Sequence, residues 1–392
     1  MATDDLVSTS TSGSTGASAE LPIRSSSATA ISPPEPQADS AGDFDIVATY
    51  HRLLADDPEL TMPVAAIEAM IAVLGHTSSS TVMETMKIVR EQAERLRNGV
   101  ANPMPLTAGT ELFQTYLLRS LKQQTSHSHD GGSSTPTTTA TTTTASPLDS
   151  FEQTRQHLLK NGKLFAARAK AARDTIADKG ARYVRDGGVV LTAGGSRTVR
   201  ALLLRAADRH IAETGHPRFE VLYVRDERFP RECEGAVAAL RGRGVPVTEL
   251  SERAVAYAMQ AGGVDTVFVG TEVVVQNGGL ISRMGSLQLA ALASVYKRKF
   301  YVVAETHKFM RGMVLGQDDL PRLGIKQNVL GRPRRGEREP AAAAAREGSE
   351  SLELSVQEHV DYTPPNLITG ILTEQGSKLP SQVYEMILDM HT

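Results

Sequence analysis

Two rhythms of apolar positions divide the chain. Between residues 43 and 124 the apolar positions recur at steps of three and four. In STVMETMKIVREQAERLRNG (80–99), Val82, Met86, Val89, Ala93 and Leu96 form one stripe, which predicts an amphipathic helix. Thr81 and Glu84 stand at capping-box spacing ahead of it, and Asn98-Gly99 is a stop signal. VAAIEAMIAVLG (64–75) predicts a more buried helix, and ELFQTYLLRSLKQQ (111–124) another. Helical periodicity resumes over 150–184. The rhythm then changes to short, β-branched, nearly continuous apolar runs: GGVVLTA (187–193), FEVLYV (219–224), VPVTEL (245–250), DTVFVG (265–270) and KFYVVA (299–304). Helical stretches at 196–213, 231–242, 251–261 and 283–297 separate them, and a short helix is expected at 380–390. Strands without polar alternation, interleaved with helices, predict a parallel sheet covered on both faces.

The fold class is therefore α/β, with an all-helical N-terminal domain followed by a Rossmann-like parallel-sheet C-terminal domain. The expected divisions are a tail at 1–42, the helical domain at 43–124, a low-complexity insertion at 125–149, a helical connector at 150–184 and the Rossmann-like domain at 185–392. The tail is rich in Ser, Thr, Ala and Pro; it holds too few large apolar residues to offset its ordering entropy and is expected to be disordered. GRPRRGEREPAAAAAREGSE (331–350) interrupts the sheet pattern and is expected to be an exposed insertion.

Open parallel sheets bind ligands outside the carboxyl ends of their strands. Three turns fall there: Ala193 to Arg197, Thr271 to Arg283, and Glu305 to Lys308. In TAGGSRT (192–198), backbone N–H groups around Ser196 at a helix start, with Arg197, suit an anion. The alternative is a close helix–strand turn that needs glycine. The Gly-x-Gly-x-x-Gly spacing is incomplete, and Tyr223-Val224-Arg225 stands where a ribose-binding acid is needed, which disfavours a nicotinamide-dependent oxidoreductase. In QNGGLISRMG (276–285), Asn277 both donates and accepts, Gly278 and Gly279 permit close approach, and Arg283 is expected at the start of the next helix. These parts suit a phosphate or sugar hydroxyl; a strand-to-helix turn at an interface is the alternative. Lys308, beside His307, either lines the cleft or sits on a solvated loop. Glu305 has no evident partner, and Cys233 has no paired base and is expected to be a buried, inert thiol. No nucleophile–base set emerges.

Composition narrows the field further. Hydrophobic residues make up 40% and charged residues 22%, with a formal net charge of -3. The basic excess of a nucleic-acid binder is missing, no apolar run reaches membrane-spanning length, and a single cysteine excludes an intrachain disulfide. With no secretory pattern at its start, the protein is expected to be cytosolic, without metal or cofactor.

The stretch GTEVVVQNGGLISRMGSLQLAALASVYKRKFYVVAETHKF (270–309) resembles the alpha/beta/delta family of eukaryotic translation initiation factor 2B. VDYTPPNLITGILTEQGSKLPSQVYEMI (360–387) carries that family's Asp-Tyr-x-Pro-Pro signature and looks most like its alpha branch. The resemblance covers about 43–124, 150–330 and 351–392. It implies a non-catalytic, regulatory subunit of the guanine-nucleotide exchange factor for initiation factor 2. It implies a homodimer joined through the Rossmann-like domain, with beta, gamma, delta and epsilon subunits as partners. It also implies a helical domain that helps sense phosphorylated initiation factor 2. Thr77, Ser78, Thr81 and Glu84 are the candidate sensing residues, against the alternative that Thr81 only caps a helix. The fold is also similar to isomerases of ribose 1,5-bisphosphate and methylthioribose 1-phosphate, which place a cysteine in a Thr-x-Cys-Asn turn and an aspartate in an Asn-Gly-Asp turn. Here Gly194 and Gly279 stand at those places. A retained pocket for a sugar phosphate or nucleotide, lined by Ser196, Arg197, Asn277, Gly278, Arg283 and Lys308, is expected without the chemistry. A sugar-phosphate aldose–ketose isomerase using other residues is the alternative function.

Overall fold

The computed structural model describes residues 44–57, 59–76, 81–100, 103–127, 147–325, 327 and 359–391. The expected tail, the 331–350 insertion and residues 128–146 of the expected 125–149 insertion lie outside the described residues.

Among the described residues, five helices come first: α1 (Ile46–Asp56), α2 (Met62–His76), α3 (Val82–Asn98), α4 (Met104–His127) and α5 (Pro147–Gly180). The stripe on α3 is buried at Met86, Val89, Ala93 and Leu96, against α2 residues Ile67, Met70 and Leu74. Thr81 caps it, its hydroxyl accepting from the Glu84 amide at 3.2 Å, which satisfies one orphan donor of the first turn. Helix α5 is long enough to serve two cores: Leu158 and Ala166 pack with the helices, and Ile176 packs under the sheet.

The sheet domain alternates β1 (Gly188–Ala193), α6 (Arg197–Thr214), β2 (Phe219–Val224), α7 (Pro230–Gly242), β3 (Val247–Leu250), α8 (Val255–Ala261) and β4 (Thr266–Gly270). It continues through β5 (Val273–Val275), β6 (Leu280–Arg283), α9 (Ser286–Val295), β7 (Lys299–Val303), β8 (Phe309–Met310), β9 (Val360–Thr363), β10 (Gly370–Thr373), β11 (Gly376–Lys378) and α10 (Val383–His391). The main sheet runs β11-β10-β7-β4-β1-β2-β3. Its first six strands in chain order are parallel, and only β11 joins antiparallel. This is the doubly wound order, with the switch point between β1 and β4.

A second sheet, β8-β5-β6-β9, was not expected. Its core takes Met104 and Ala108 from α4 beside Val273, Ile281 and Tyr362. It corrects the expectation for 283–297: Arg283 ends a strand, and α9 starts only at Ser286. Antiparallel pairing of Leu280–Arg283 with Val360–Thr363 holds that stretch extended, overriding its helical propensity. Gly285, at φ 107°, then turns the chain into α9.

Asp361 of the Asp-Tyr-x-Pro-Pro motif joins this sheet to α9. Its Oδ2 accepts from the amides of Gly285 at 2.7 Å and Leu287 at 3.1 Å. Burial pushes its carboxyl up to about 6 from 3.8, against the opposing pull of those amides and Arg228. Between these values the folded chain holds a proton that the unfolded chain has released, so stability falls as pH rises through the window and is level above it. Asp361→Asn removes this slope. The stability of the wild type relative to the variant is expected to fall by on the order of 2 kcal/mol between about pH 4 and about pH 6, read by urea denaturation.

Candidate ligand cavity

A cavity of about 420 Å³ lies at the switch point, bounded by residues that follow β1, β2 and β4 and roofed by Glu59, Thr61, Met62 and Pro63 from the helices. Small-molecule clefts occupy roughly 300–1,000 Å³.

The turn after β1 is built for close approach. Gly194 holds φ 69°, and its carbonyl accepts from the Tyr223 hydroxyl. Ser196 caps α6 by accepting from the Val199 amide at 3.3 Å. A side chain at Gly270, the last residue of β4, would collide with Ser196, so glycine there lets the cap nest against the strand. Arg197 reaches across to the helical layer, its Nη1 donating to the Leu60 carbonyl at 2.9 Å. Glu59 bridges two elements, pairing with Arg173 of α5 and Arg200 of α6, each at 2.8 Å. Burial alone would raise the Glu59 pKa; Arg200, Arg173 and Arg197 outweigh it and draw the carboxyl below its usual value.

Lys308 is largely buried and faces the cavity, its Nζ 2.9 Å from Glu305 Oε2. The cleft alternative for Lys308 therefore describes its position. Glu305, without an evident partner in the sequence, has two: Lys308, and the Thr198 hydroxyl, which donates to Oε1 at 2.6 Å. Burial would raise the Glu305 pKa; Lys308, His307 and Thr198 reverse this and hold it well below the usual carboxylate range. Burial depresses His307 to about 4 despite Glu305, so its ring is neutral near pH 7. Arg283 pairs with Glu232 of α7 through 2.7 Å and 3.3 Å contacts, and its guanidinium carbon lies 4.0 Å from the Phe229 ring centroid.

Ser196, Arg197, Arg283 and Lys308 thus line one cavity. Asn277 and Gly278 do not join them. They form the turn of the β5–β6 hairpin, where the Gly278 amide donates to the Val275 carbonyl at 2.8 Å. Asn277 Nδ2 donates to the Val314 carbonyl at 2.6 Å and the Tyr362 hydroxyl at 3.0 Å, and Gly278 backs onto Pro380. The glycine pair therefore closes a hairpin; it does not open a helix. Of the sensing candidates, Thr81 and Glu84 are exposed at the start of α3, while Thr77 and Ser78 lie outside the described residues. Cys233 is buried, with its sulfur 3.5 Å from the donating Asp226 amide. Sequence reasoning missed Glu59 and Glu232. Glu59 lies in the loop between α1 and α2 and Glu232 in the first turn of α7, and nothing in their local pattern marks them for the cavity.

The two glycine positions differ physically. A Cβ at Gly194 meets nothing within 4 Å, whereas one at Gly279 would lie 2.5 Å from the Tyr362 ring. Gly279→Asp is therefore expected to destabilise the fold by about 1–3 kcal/mol through overpacking, measured by chemical denaturation. Glu305→Gln leaves the Lys308 ammonium without its carboxylate and is expected to cost roughly 3 kcal/mol near pH 7. Because the Glu305 pKa is depressed, the wild type's advantage in the same denaturation experiment is full above the ordinary value of 4.5 and shrinks below it.

The chain is similar to known proteins. It is 26% identical over 351 residues to translation initiation factor eIF2B subunit alpha of Dictyostelium discoideum, covering 89% of this chain and 98% of that protein. It is 29% identical over 245 residues to ribose 1,5-bisphosphate isomerase of Archaeoglobus fulgidus, covering 62% of this chain and 70% of that enzyme. In structure it is similar to a chain of the tetrameric eIF2B-beta2-delta2 complex from C. thermophilum, with TM-score 0.62, 18% identity, and coverage of 88% and 95%. The match in structure is one of fold, α/β with a helical N-terminal region. The model of the initiation factor 2 subunit family matches residues 56–380, so the chain belongs to that family.

Proposed function

We propose that this chain is the alpha-type regulatory subunit of the guanine-nucleotide exchange factor for translation initiation factor 2. The observation that carries this reading is the similarity to the Dictyostelium alpha subunit, which takes in 98% of that protein. The chain acts in the cytosol as a homodimer joined through the sheet domain, and it assembles with beta, gamma, delta and epsilon subunits. The fold shared with the beta2-delta2 complex supports partnership with chains of the same architecture. The exposed start of α3, with Thr81 and Glu84, supports a role for the helical layer in sensing phosphorylated initiation factor 2.

The chain is not an enzyme in this reading. Proton transfer between neighbouring carbons needs a side chain that takes and returns a proton, and glycine at 194 and 279 has none. Tyr362 fills the space an aspartate at 279 needs. The cavity instead holds a sugar phosphate or nucleotide, contacted by Ser196, Arg197, Arg283 and Lys308.

Reconstitution tests the assignment. The purified chain is expected to have the mass of a dimer, to bind beta and delta subunits, and to restore inhibition of nucleotide exchange by phosphorylated initiation factor 2 to a complex lacking its alpha subunit. A monomer that ignores both partners overturns the reading. So does conversion of ribose 1,5-bisphosphate to a ketose by the pure chain in a coupled assay.

A further inference from the structure

We infer that Glu232 is a resident anion of the cavity, and that it makes the cavity select ligands carrying one phosphate and free hydroxyls over bisphosphates. This rests on the reading of the cavity as a ligand site.

The place of Glu232 carries the inference. An incoming phosphate is drawn to the start of α6, where amides, dipole and Arg197 converge. Glu232 already lies there. A Cβ added to Gly195 would overlap its carboxylate and would lie 2.5 Å from its Cβ, so the absence of a side chain at 195 is what admits it. Its charge acts on Arg197 as well as Arg283. Arg283 is held on the Phe229 ring and keeps its bidentate hold on the carboxylate with little freedom to swing.

The wider lining points the same way. It contains five Arg or Lys side chains and five Asp or Glu side chains. Arg200 pairs with Glu59, Arg225 with Glu249 and Glu234, Arg283 with Glu232, and Lys308 with Glu305. A single phosphate can displace one such partner and recover its contacts. A second phosphate meets a carboxylate that remains, and like charges repel. A carboxylate also accepts hydrogen bonds from sugar hydroxyls, so the same side chain that repels a second phosphate rewards a hydroxyl. Glu232→Gln keeps the size and removes the charge.

Isothermal titration calorimetry of the full chain tests this with ribose 5-phosphate and ribose 1,5-bisphosphate at fixed ionic strength. The wild type is expected to bind the monophosphate at least tenfold more tightly. In Glu232→Gln and Glu232→Ala the bisphosphate is expected to gain at least tenfold relative to the monophosphate. An unchanged ratio, with binding retained, overturns the role of Glu232 and leaves the cavity standing as a ligand site. Loss of all binding in both variants, with the wild type binding, likewise overturns it, because Glu232 would then be a plain binding contact. No heat from the wild type or either variant removes the ligand site and the inference together.

Discussion

The unbroken helix α5 is the constraint on which the rest depends. One apolar stripe enters the helical core at Leu158 and Ala166 and the sheet core at Ile176. A helix of 34 residues has a set rise per residue, and long helices curve only gently unless a proline or bulge intervenes. The two cores therefore keep a set distance, and Arg173 of α5 is presented to the loop between α1 and α2. That loop answers with Glu59, which grips Arg173 and Arg200 together, while Arg197 holds the carbonyl of Leu60. The roof of the cavity is thus fastened to its floor by charge-assisted bonds, which are stronger than neutral ones.

The same bonds decide what the cavity can do. A switch-point crevice with several arginines is an attractive place for an anion, yet the cations at its edge come with carboxylates. Arg283 has Glu232, Arg200 has Glu59 and Lys308 has Glu305. A balanced lining supports discrimination among ligands by hydrogen bonding more than by net charge. Under the proposed reading, a ligand that takes Arg197 or Arg200 would compete with contacts that hold the α1–α2 loop. A regulatory subunit needs a coupling of this kind between a site and a surface.

The hairpin turn at Asn277 to Gly279 has a role that differs from its appearance. Asn277 ties Val314 to Tyr362, and Gly278 and Gly279 give way to Pro380 and the Tyr362 ring. Its residues are needed for packing within the second sheet. Reaction chemistry at 279 and the present position of Tyr362 exclude each other in space.

The sequence by itself determined the helical layer, the five main parallel strands, the buried thiol of Cys233 and the glycines at 194 and 279. Each of these is written in local periodicity or in residue identity. Periodicity reports which side of an element is buried, because it follows from the geometry of one helix or strand. Only the tertiary structure decided what covers that side. Strands of two to four residues, β5, β6, β8 and β9, are too short to show a period, and the pairing of β6 with β9 spans about 80 residues of chain. That pairing moved Arg283 from a helix onto a strand and took Asn277 and Gly278 away from the cavity. Glu59 and Glu232 entered the cavity for the same reason: an ion pair across two elements leaves no trace in either segment, since its energy depends on a distance that exists only after folding.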